Sequence, residues 1–132
     1  MSFLLDTNTC SAHLRRSSGL MHRFVQHSGH LAIPTAVLAE LYGWAYGKSN
    51  PTATLAAIAG LLKDVRLLDF DSQCAETHGR VFVDLRRIGI TVPVADLMIA
   101  SVALVHDLTL VTHNTADFRH IPNLRLQDWL MP

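Results

Sequence analysis

The stretch Phe3-Leu4-Leu5-Asp6-Thr7-Asn8 places three apolar residues directly before a carboxylate and two small polar residues. A short apolar run bounded by turn-forming residues is typical of a buried strand in a parallel sheet. In such sheets, functional side chains lie just beyond the carboxyl ends of the strands. Asp6 falls at that point, although Asp is also an ordinary helix N-cap. Asp6 is therefore either a functional carboxylate or a cap, and this stretch alone leaves both open.

Strand-like and helix-like segments alternate along the rest of the chain. The pattern predicts helices at 9–17, 20–27, 35–47, 52–62, 72–87 and 94–106, a helical turn at 114–118, and further strands at 31–33, 65–70, 108–112 and 124–126. Thr35 is the predicted N-cap of the third helix, and Asp71 that of the fifth. This alternation predicts an α/β fold, a three-layer α/β/α sandwich with a central parallel sheet of four to five strands.

The length of 132 residues predicts one domain spanning 1–132. The formal net charge is zero, so the composition shows no broad electrostatic surface for nucleic acid. A polyanionic ligand would have to use a local basic patch or a metal ion. The hydrophobic fraction is 49%, which suggests a face for self-association.

Cys10 and Cys74 are far apart and belong to no CxxC motif, which favours buried free thiols. No stretch is apolar over the length of a membrane span, and the first residues lack the pattern of a signal peptide. These features predict a soluble cytoplasmic protein without membrane association.

Basic pairs occur at Arg15-Arg16, His22-Arg23 and Arg86-Arg87 and are candidate phosphate contacts. Charge runs on helices more often form ordinary solvated faces, so these pairs identify no site by themselves. Trp44 lies in a helix with two tyrosines at helical spacing, which favours packing over base stacking.

Glu40 lies inside the predicted helix 35–47, with Val37 three residues before it and Trp44 four after. These neighbours share one helix face, so the carboxylate would lie among apolar side chains. A carboxylate in that position needs a partner or a metal ion. The alternative is an acid at the edge of the apolar stripe, with its head in solvent.

Asp96 and Asp117 also lie near predicted strand ends. Asp96 is in the first turn of the very apolar helix 94–106, where an acid also interacts favourably with the helix dipole. Asp117 follows the strand 108–112 and comes three residues after Asn114, the spacing of a capping box. Each acid therefore has an ordinary structural explanation when it is considered alone.

Considered together, Asp6, Glu40, Asp96 and Asp117 could converge at one edge of the sheet. Four carboxylates in one pocket repel one another and cannot all ionise without a cation. Mg²⁺ prefers oxygen ligands and shares its site with substrate phosphates. Metal ions held in this way can stabilise the attacking and leaving oxygens of a phosphodiester.

Four short motifs occur in order along the chain. They are Leu5-Asp6-Thr7-Asn8, Leu38-Ala39-Glu40-Leu41, Asp96-Leu97-Met98-Ile99-Ala100 and Thr112-His113-Asn114-Thr115-Ala116-Asp117-Phe118. With the ending Leu124-Arg125-Leu126-Gln127-Asp128-Trp129, they resemble the PIN domain, and more narrowly a VapC-type toxin ribonuclease of a bacterial toxin–antitoxin pair. The resemblance covers essentially the whole chain.

The resemblance implies RNA cleavage that depends on Mg²⁺ or Mn²⁺. It also implies a homodimer and a cognate antitoxin whose tail occupies the active site. The residues implied are the acids Asp6, Glu40, Asp96 and Asp117, as catalytic residues and metal ligands, with Thr7, Asn8, Thr112 and Asn114 as supporting polar positions. One departure is His113, where relatives often carry Arg.

Three other interpretations remain open at this point. A related nuclease could act on DNA, and a binding module could keep the fold with a degenerate, non-catalytic acidic site. A flavodoxin-like nucleotide or phosphate binder is a further alternative. It is disfavoured because no Gly-rich phosphate loop follows the first strand.

Overall fold

The computed structural model describes residues 2–16 and 19–131. In chain order these residues form β1 (Phe3–Leu5), α1 (Thr7–Leu14), α2 (Met21–Gln26), β2 (Leu31–Pro34), α3 (Thr35–Tyr46), α4 (Thr52–Asp64), β3 (Arg66–Leu68), α5 (Ser72–Arg87), α6 (Val94–Val105), β4 (Thr109–Val111), α7 (Thr115–Phe118) and β5 (Leu126–Gln127). Strands alternate with helices throughout, which confirms the predicted α/β fold.

The five strands form one parallel sheet in the order β3-β2-β1-β4-β5. The strand β1 is central, and its Phe3 lies in register with Leu31 of β2 on one side and Thr109 of β4 on the other. Since all neighbours are parallel, their carboxyl ends lie at the same edge of the sheet. The loops after β1, β2 and β4 therefore meet at this edge.

The buried apolar residues form one cluster around the sheet. All three residues of β1 and all three of β4 are buried, as expected for strands covered on both faces. The helix α1 contacts α3 and α4, and α5 contacts α6. The helix α3 also contacts α6. The extent of the domain, 1–132, stays a prediction.

The helix α6 is largely buried within its own chain. Its residues Leu97, Ile99 and Ala100 are all at most 2% exposed, whereas Val94 at its beginning is 68% exposed. The helix packs closely against α5. The apolar character of α6 is thus explained by the core, and it no longer argues for self-association.

Several predicted boundaries are wrong in detail. Thr35 is the first residue of α3 and not its N-cap; Pro34 occupies the cap position and makes no side-chain capping bond. The helix α1 begins at Thr7, two residues earlier than predicted, because Asp6 caps it. The strand β5 is also displaced, to Leu126–Gln127. The predicted end of the first helix at Ser17 and the break at Ser18 lie outside the described residues.

Two other local predictions, the Asp71 cap and the buried free cysteines, are confirmed. Asp71 is the N-cap of α5, and its Oδ1 accepts a hydrogen bond from the Cys74 N–H at 3.0 Å. Cys10 and Cys74 are free and buried, and burial raises the pKa of both thiols. Over the described part of the chain, no helix has the length and apolar character needed to cross a membrane.

Candidate active site

Asp6 follows β1 directly and performs the capping role that the sequence allowed. Its Oδ1 accepts a hydrogen bond from the Thr9 N–H at 2.8 Å, and its own N–H donates to the Val111 carbonyl at 3.1 Å. The residue is only 6% exposed. Both contacts fix the carboxylate at the junction of β1, β4 and α1. Asp6 is therefore the N-cap of α1, and it also lines the cleft described next.

A cleft of about 70 Å³ opens at the carboxyl edge of the sheet. We call it the acidic cleft. Four helices, α1, α3, α6 and α7, and the N-cap positions of α1 and α7 supply its lining, which is Asp6, Thr7, Asn8, Glu40, Asp96, Ile99, Asn114 and Phe118. Three of the four predicted acids and three of the four predicted supporting residues therefore line one cavity.

Glu40 reaches the acidic cleft from α3, but it is exposed. The prediction that its carboxylate lies among core side chains is wrong, and the alternative, with the head in solvent, is correct. Val37 and Leu41 of the same helix are fully buried and hold that helix face against the core. Glu40 lies beside this stripe, which aims its carboxylate at the cleft without the cost of burial.

Asp96 lies in the first turn of α6, as predicted, and is partly buried. Burial raises the pKa of its carboxyl group, and the negative charges of Asp117, Glu40 and Asp6 raise it further, in that order. Asp96 thus interacts electrostatically with each of the other three predicted acids. Asp117 contributes through its charge, although its side chain does not line the cleft.

The segment after β4 approaches the cleft by a different local structure from the predicted capping box. Asn114 occupies the N-cap position of α7 but makes no side-chain capping bond. The Asn114 N–H instead donates to Thr112 Oγ1 at 3.0 Å, and Thr112 is fully buried. Thr112 therefore holds the turn from inside while Asn114 lines the cleft. Asp117 is exposed and forms no box with Asn114.

His113 contacts Asp128, away from the acidic cleft. Its Nδ1 lies 2.9 Å from Oδ2 of Asp128, and the other oxygen of Asp128 accepts from the Leu130 N–H. This contact ties the turn after β4 to the segment after β5. His113 does not line the acidic cleft.

The Thr7 hydroxyl is a candidate ligand contact in the acidic cleft. Its Oγ1 is buried and has no hydrogen-bond partner among the described residues, and the residue lines the acidic cleft. An unpaired buried hydroxyl is costly and marks a position where an external donor or cation would be accepted. With the carboxylates of Asp6, Glu40 and Asp96, it makes a donor set that consists of oxygen atoms, the set that Mg²⁺ and Mn²⁺ prefer.

A ready-made metal cage is nevertheless not formed. Within residues 2–16 and 19–131, no three Asp, Glu, His or Cys side chains converge closely enough to hold a metal ion. Mg²⁺ does not require such a cage, since it usually keeps several waters and takes one or two carboxylates together with substrate phosphates. The donor chemistry of the cleft therefore fits Mg²⁺ or Mn²⁺.

Two lining residues, Ile99 and Phe118, were not predicted as part of the site. Ile99 is three residues after Asp96 on the same helix face, and Phe118 follows Asp117 directly. Both are at most 2% exposed. They supply an apolar wall that limits water around the acids, and their spacing from the acids was the available signal.

The comparisons with known proteins agree with this geometry. The PIN domain family model matches residues 3–124. The tRNA(fMet)-specific endonuclease VapC of Salmonella typhimurium is 33% identical over 130 residues, which covers 98% of each protein. Ribonuclease VapC2 of Rickettsia felis is 31% identical over 133 residues, with 98% of each protein covered.

Solved structures show the same similarity in three dimensions. The DNA-bound VapBC structure from Salmonella typhimurium has a chain with a TM-score of 0.92 at 33% identity, with 98% of both chains covered. VapBC2 from Rickettsia felis, bound to a DNA fragment from its promoter, has a TM-score of 0.91 at 28% identity, covering 98% of this chain and 99% of that one.

Proposed function

The chain belongs to the PIN-domain family, among its VapC ribonucleases, and from this premise we propose that it is the toxin of a toxin–antitoxin pair and hydrolyses RNA phosphodiesters in the acidic cleft. The observation that supports this most strongly is the electrostatic coupling of four acids at one sheet edge. Burial and three neighbouring carboxylates all raise the pKa of Asp96. A site that concentrates negative charge at this cost is made for a cation.

The metal ion is proposed to be Mg²⁺ or Mn²⁺, held by Asp6, Glu40, Asp96 and Asp117. Such an ion supplies Lewis-acid stabilisation of the phosphoryl oxygens. The chain's own residues orient the site. The Thr9 N–H restrains one oxygen of Asp6 and leaves the other for the cleft.

The supporting polar residues are proposed to position the substrate. Thr7 brings an unpaired hydroxyl to the cleft, and Asn8 and Asn114 bring amide groups that can donate to phosphate oxygens. Thr112 acts indirectly, because its hydroxyl holds the backbone N–H of Asn114. The buried side chains of Ile99 and Phe118 restrict water, which strengthens these polar interactions.

The proposed protein partner is a cognate antitoxin with an Arg or Lys in its tail. Such a side chain would pair with the carboxylates of the acidic cleft and compete with metal and RNA. A second surface suits the apolar part of a partner. A cavity of about 320 Å³ beside α2 is lined by Met21, Phe24 and Val25, of which Met21 and Val25 are exposed.

We expect RNA, and not DNA, to be cut when the purified chain is incubated with single-stranded forms of both in Mg²⁺. The PIN-family acids act on the phosphodiester, so the choice of sugar has to come from contacts around it. The measurement is electrophoresis of end-labelled oligonucleotides of identical base sequence. Cleavage of DNA alone would favour the DNA-directed alternative. Binding of RNA without cleavage would favour a non-catalytic module.

The chain is further proposed to form a homodimer. Phe82, Ile88 and Val94 are large apolar side chains that stay exposed on α5, after it and on α6. Twofold dimers are the commonest closed assembly and would cover such residues. Light scattering of the purified chain is expected to give twice the mass of 14.6 kDa at micromolar concentration. A monomer mass would refute the homodimer.

A further inference from the structure

Arg15, Trp44 and Lys48 line a second cavity, of about 260 Å³, between the ends of α1 and α3 and the beginning of α4. Its remaining lining residues are small, apolar or hydroxylated, and none is acidic. The acidic cleft lies at the beginning of α1 and in the middle of α3. The two cavities are therefore joined by the same pair of helices, which contact each other.

The spacing along α3 places the second cavity close to the acids. Trp44 is four residues after Glu40, and Lys48 is eight residues after it. At a rise of 1.5 Å per residue, Trp44 lies about 6 Å beyond Glu40 along the helix axis, and Lys48 follows two residues after the end of α3 at Tyr46. Residues four apart share a helix face. A strand of RNA that leaves the acidic cleft along α3 meets Trp44 and then Lys48.

The ammonium group of Lys48 is already held in place. Its Nζ donates a hydrogen bond to Thr54 Oγ1 at 2.9 Å and lies 4.3 Å from the centre of the Trp44 ring. Thr54 is buried, so its hydroxyl is a fixed acceptor. An ammonium has three N–H donors, and further donors remain for a ligand. A cation that is already ordered loses less side-chain entropy when it binds.

The positive charges of this cavity are not neutralised by acids. Among the described residues, no carboxylate oxygen lies within 4.0 Å of Lys48 or Arg15, whereas Arg80 and Arg125 each pair with one. Both cavity cations are exposed. Uncompensated cations beside a cluster of acids produce a local field that the zero net charge of the chain conceals.

We infer that Arg15 and Lys48 form a subsite for a backbone phosphate of single-stranded RNA, next to the bond that is cut in the acidic cleft. The inference rests on the proposed function. It gives that function a necessary component, because the acids repel the phosphates that flank the reacting one. Two cations, Arg15 at the end of α1 and Lys48 just after α3, offset this repulsion and set the direction of the strand. Trp44 is a positioning residue, because the face of its ring contacts the Lys48 ammonium group and holds it in place.

The test is the salt dependence of RNA binding. A short fluorescent single-stranded RNA of mixed sequence is titrated with the full chain carrying Asp96→Asn, which prevents cleavage during the measurement. For single strands, each neutralised phosphate contributes about 0.7 to the slope of log affinity against log salt concentration. Adding Arg15→Gln and Lys48→Gln together is therefore expected to make that slope shallower by about 0.7, since the one phosphate of the subsite is no longer neutralised.

Matched variants control for charge and for folding. Lys63→Gln with Arg66→Gln removes the same charge from exposed positions at the end of α4 and on β3, and it should leave the slope unchanged. Lys48→Arg keeps the cation and should also keep the slope. The circular dichroism of every variant is expected to match that of the parent chain.

An unchanged slope in the Arg15→Gln, Lys48→Gln chain would overturn the inference and favour a contact for an acidic protein segment. An equal loss in the Lys63→Gln, Arg66→Gln chain would overturn it as well, because the effect would then be general charge. The proposed function is judged separately. It fails if the wild-type chain cleaves no RNA, and the binding slope still decides whether the phosphate subsite exists.

Discussion

Asp6→Asn is expected to slow RNA cleavage by roughly 100-fold or more, the size of effect seen when one preorganised electrostatic group is removed from an active site. Asparagine keeps the shape of the side chain and is as good an N-cap as aspartate. The Thr9 N–H, which now donates to Asp6 at 2.8 Å, therefore keeps an acceptor. Only the negative charge at the acidic cleft is lost. The measurement is the initial rate of cleavage of a single-stranded RNA in Mg²⁺.

Asp71→Asn is the matched control for this experiment. Asp71 caps α5 as Asp6 caps α1, with its Oδ1 accepting from the Cys74 N–H at 3.0 Å. It is not a lining residue of the acidic cleft. The same substitution at a cap should leave the cleavage rate unchanged. If Asp6→Asn cleaves RNA as fast as the wild type, Asp6 is only a cap.

The two caps also show why the sequence could predict so much of the fold. Both aspartates directly precede helices, and Asp6 also follows the buried apolar strand β1, so local hydrogen bonding and burial point to the same boundary there. The strand order β3-β2-β1-β4-β5 is a property of the whole sheet, and no single segment predicts it. The fold class was therefore predictable from pattern and chain order.

The errors occur where tertiary contacts override local preference. Thr35 has the chemistry of an N-cap, but its neighbour Pro34 is the last residue of β2 and takes the cap position. Asn114 and Asp117 have the spacing of a capping box, but the buried hydroxyl of Thr112 competes for the Asn114 N–H. Local sequence cannot tell which residue takes the cap position or which group accepts from the cap N–H. The residue that wins, Pro34 or Thr112, is held in place by the sheet.

The exposure of Glu40 could not be predicted for a related reason. Helical periodicity gives the face of α3 to within a residue, and Glu40 lies next to the fully buried Leu41. Whether such an edge position faces solvent or a cleft depends on the neighbouring elements. The approach of α1 and α6 to α3 creates the cleft, and that approach is not encoded in the residues around Glu40.

Asp96→Asn is expected to raise the unfolding temperature in buffer that contains a chelator. The pKa of Asp96 is raised in the folded chain by burial and by the charges of Asp117, Glu40 and Asp6. The folded state therefore binds this proton more tightly than the unfolded state, so the charged carboxylate opposes folding above its raised pKa. As the pH falls through that raised pKa toward the ordinary value of about 3.9, the penalty disappears. The advantage of the variant should therefore shrink in acid.

In Mg²⁺, the wild type is expected to have a higher unfolding temperature than Asp96→Asn. Mg²⁺ is also expected to be required for RNA cleavage. A cation that binds only the folded state stabilises it by about 2.7 kcal/mol at 100 times its dissociation constant. The gain should be large in the wild type and small in Asp96→Asn, because the variant has lost both a ligand and part of the attracting charge. Scanning calorimetry with and without Mg²⁺ measures it, and the exposed Asp69→Asn is the control that should behave as the wild type. A metal ion in the acidic cleft would be contradicted if Mg²⁺ raised the unfolding temperature equally in the wild type and Asp96→Asn. It would also be contradicted if excess chelator left RNA cleavage undiminished, because the four acids would then bind no cation that cleavage needs.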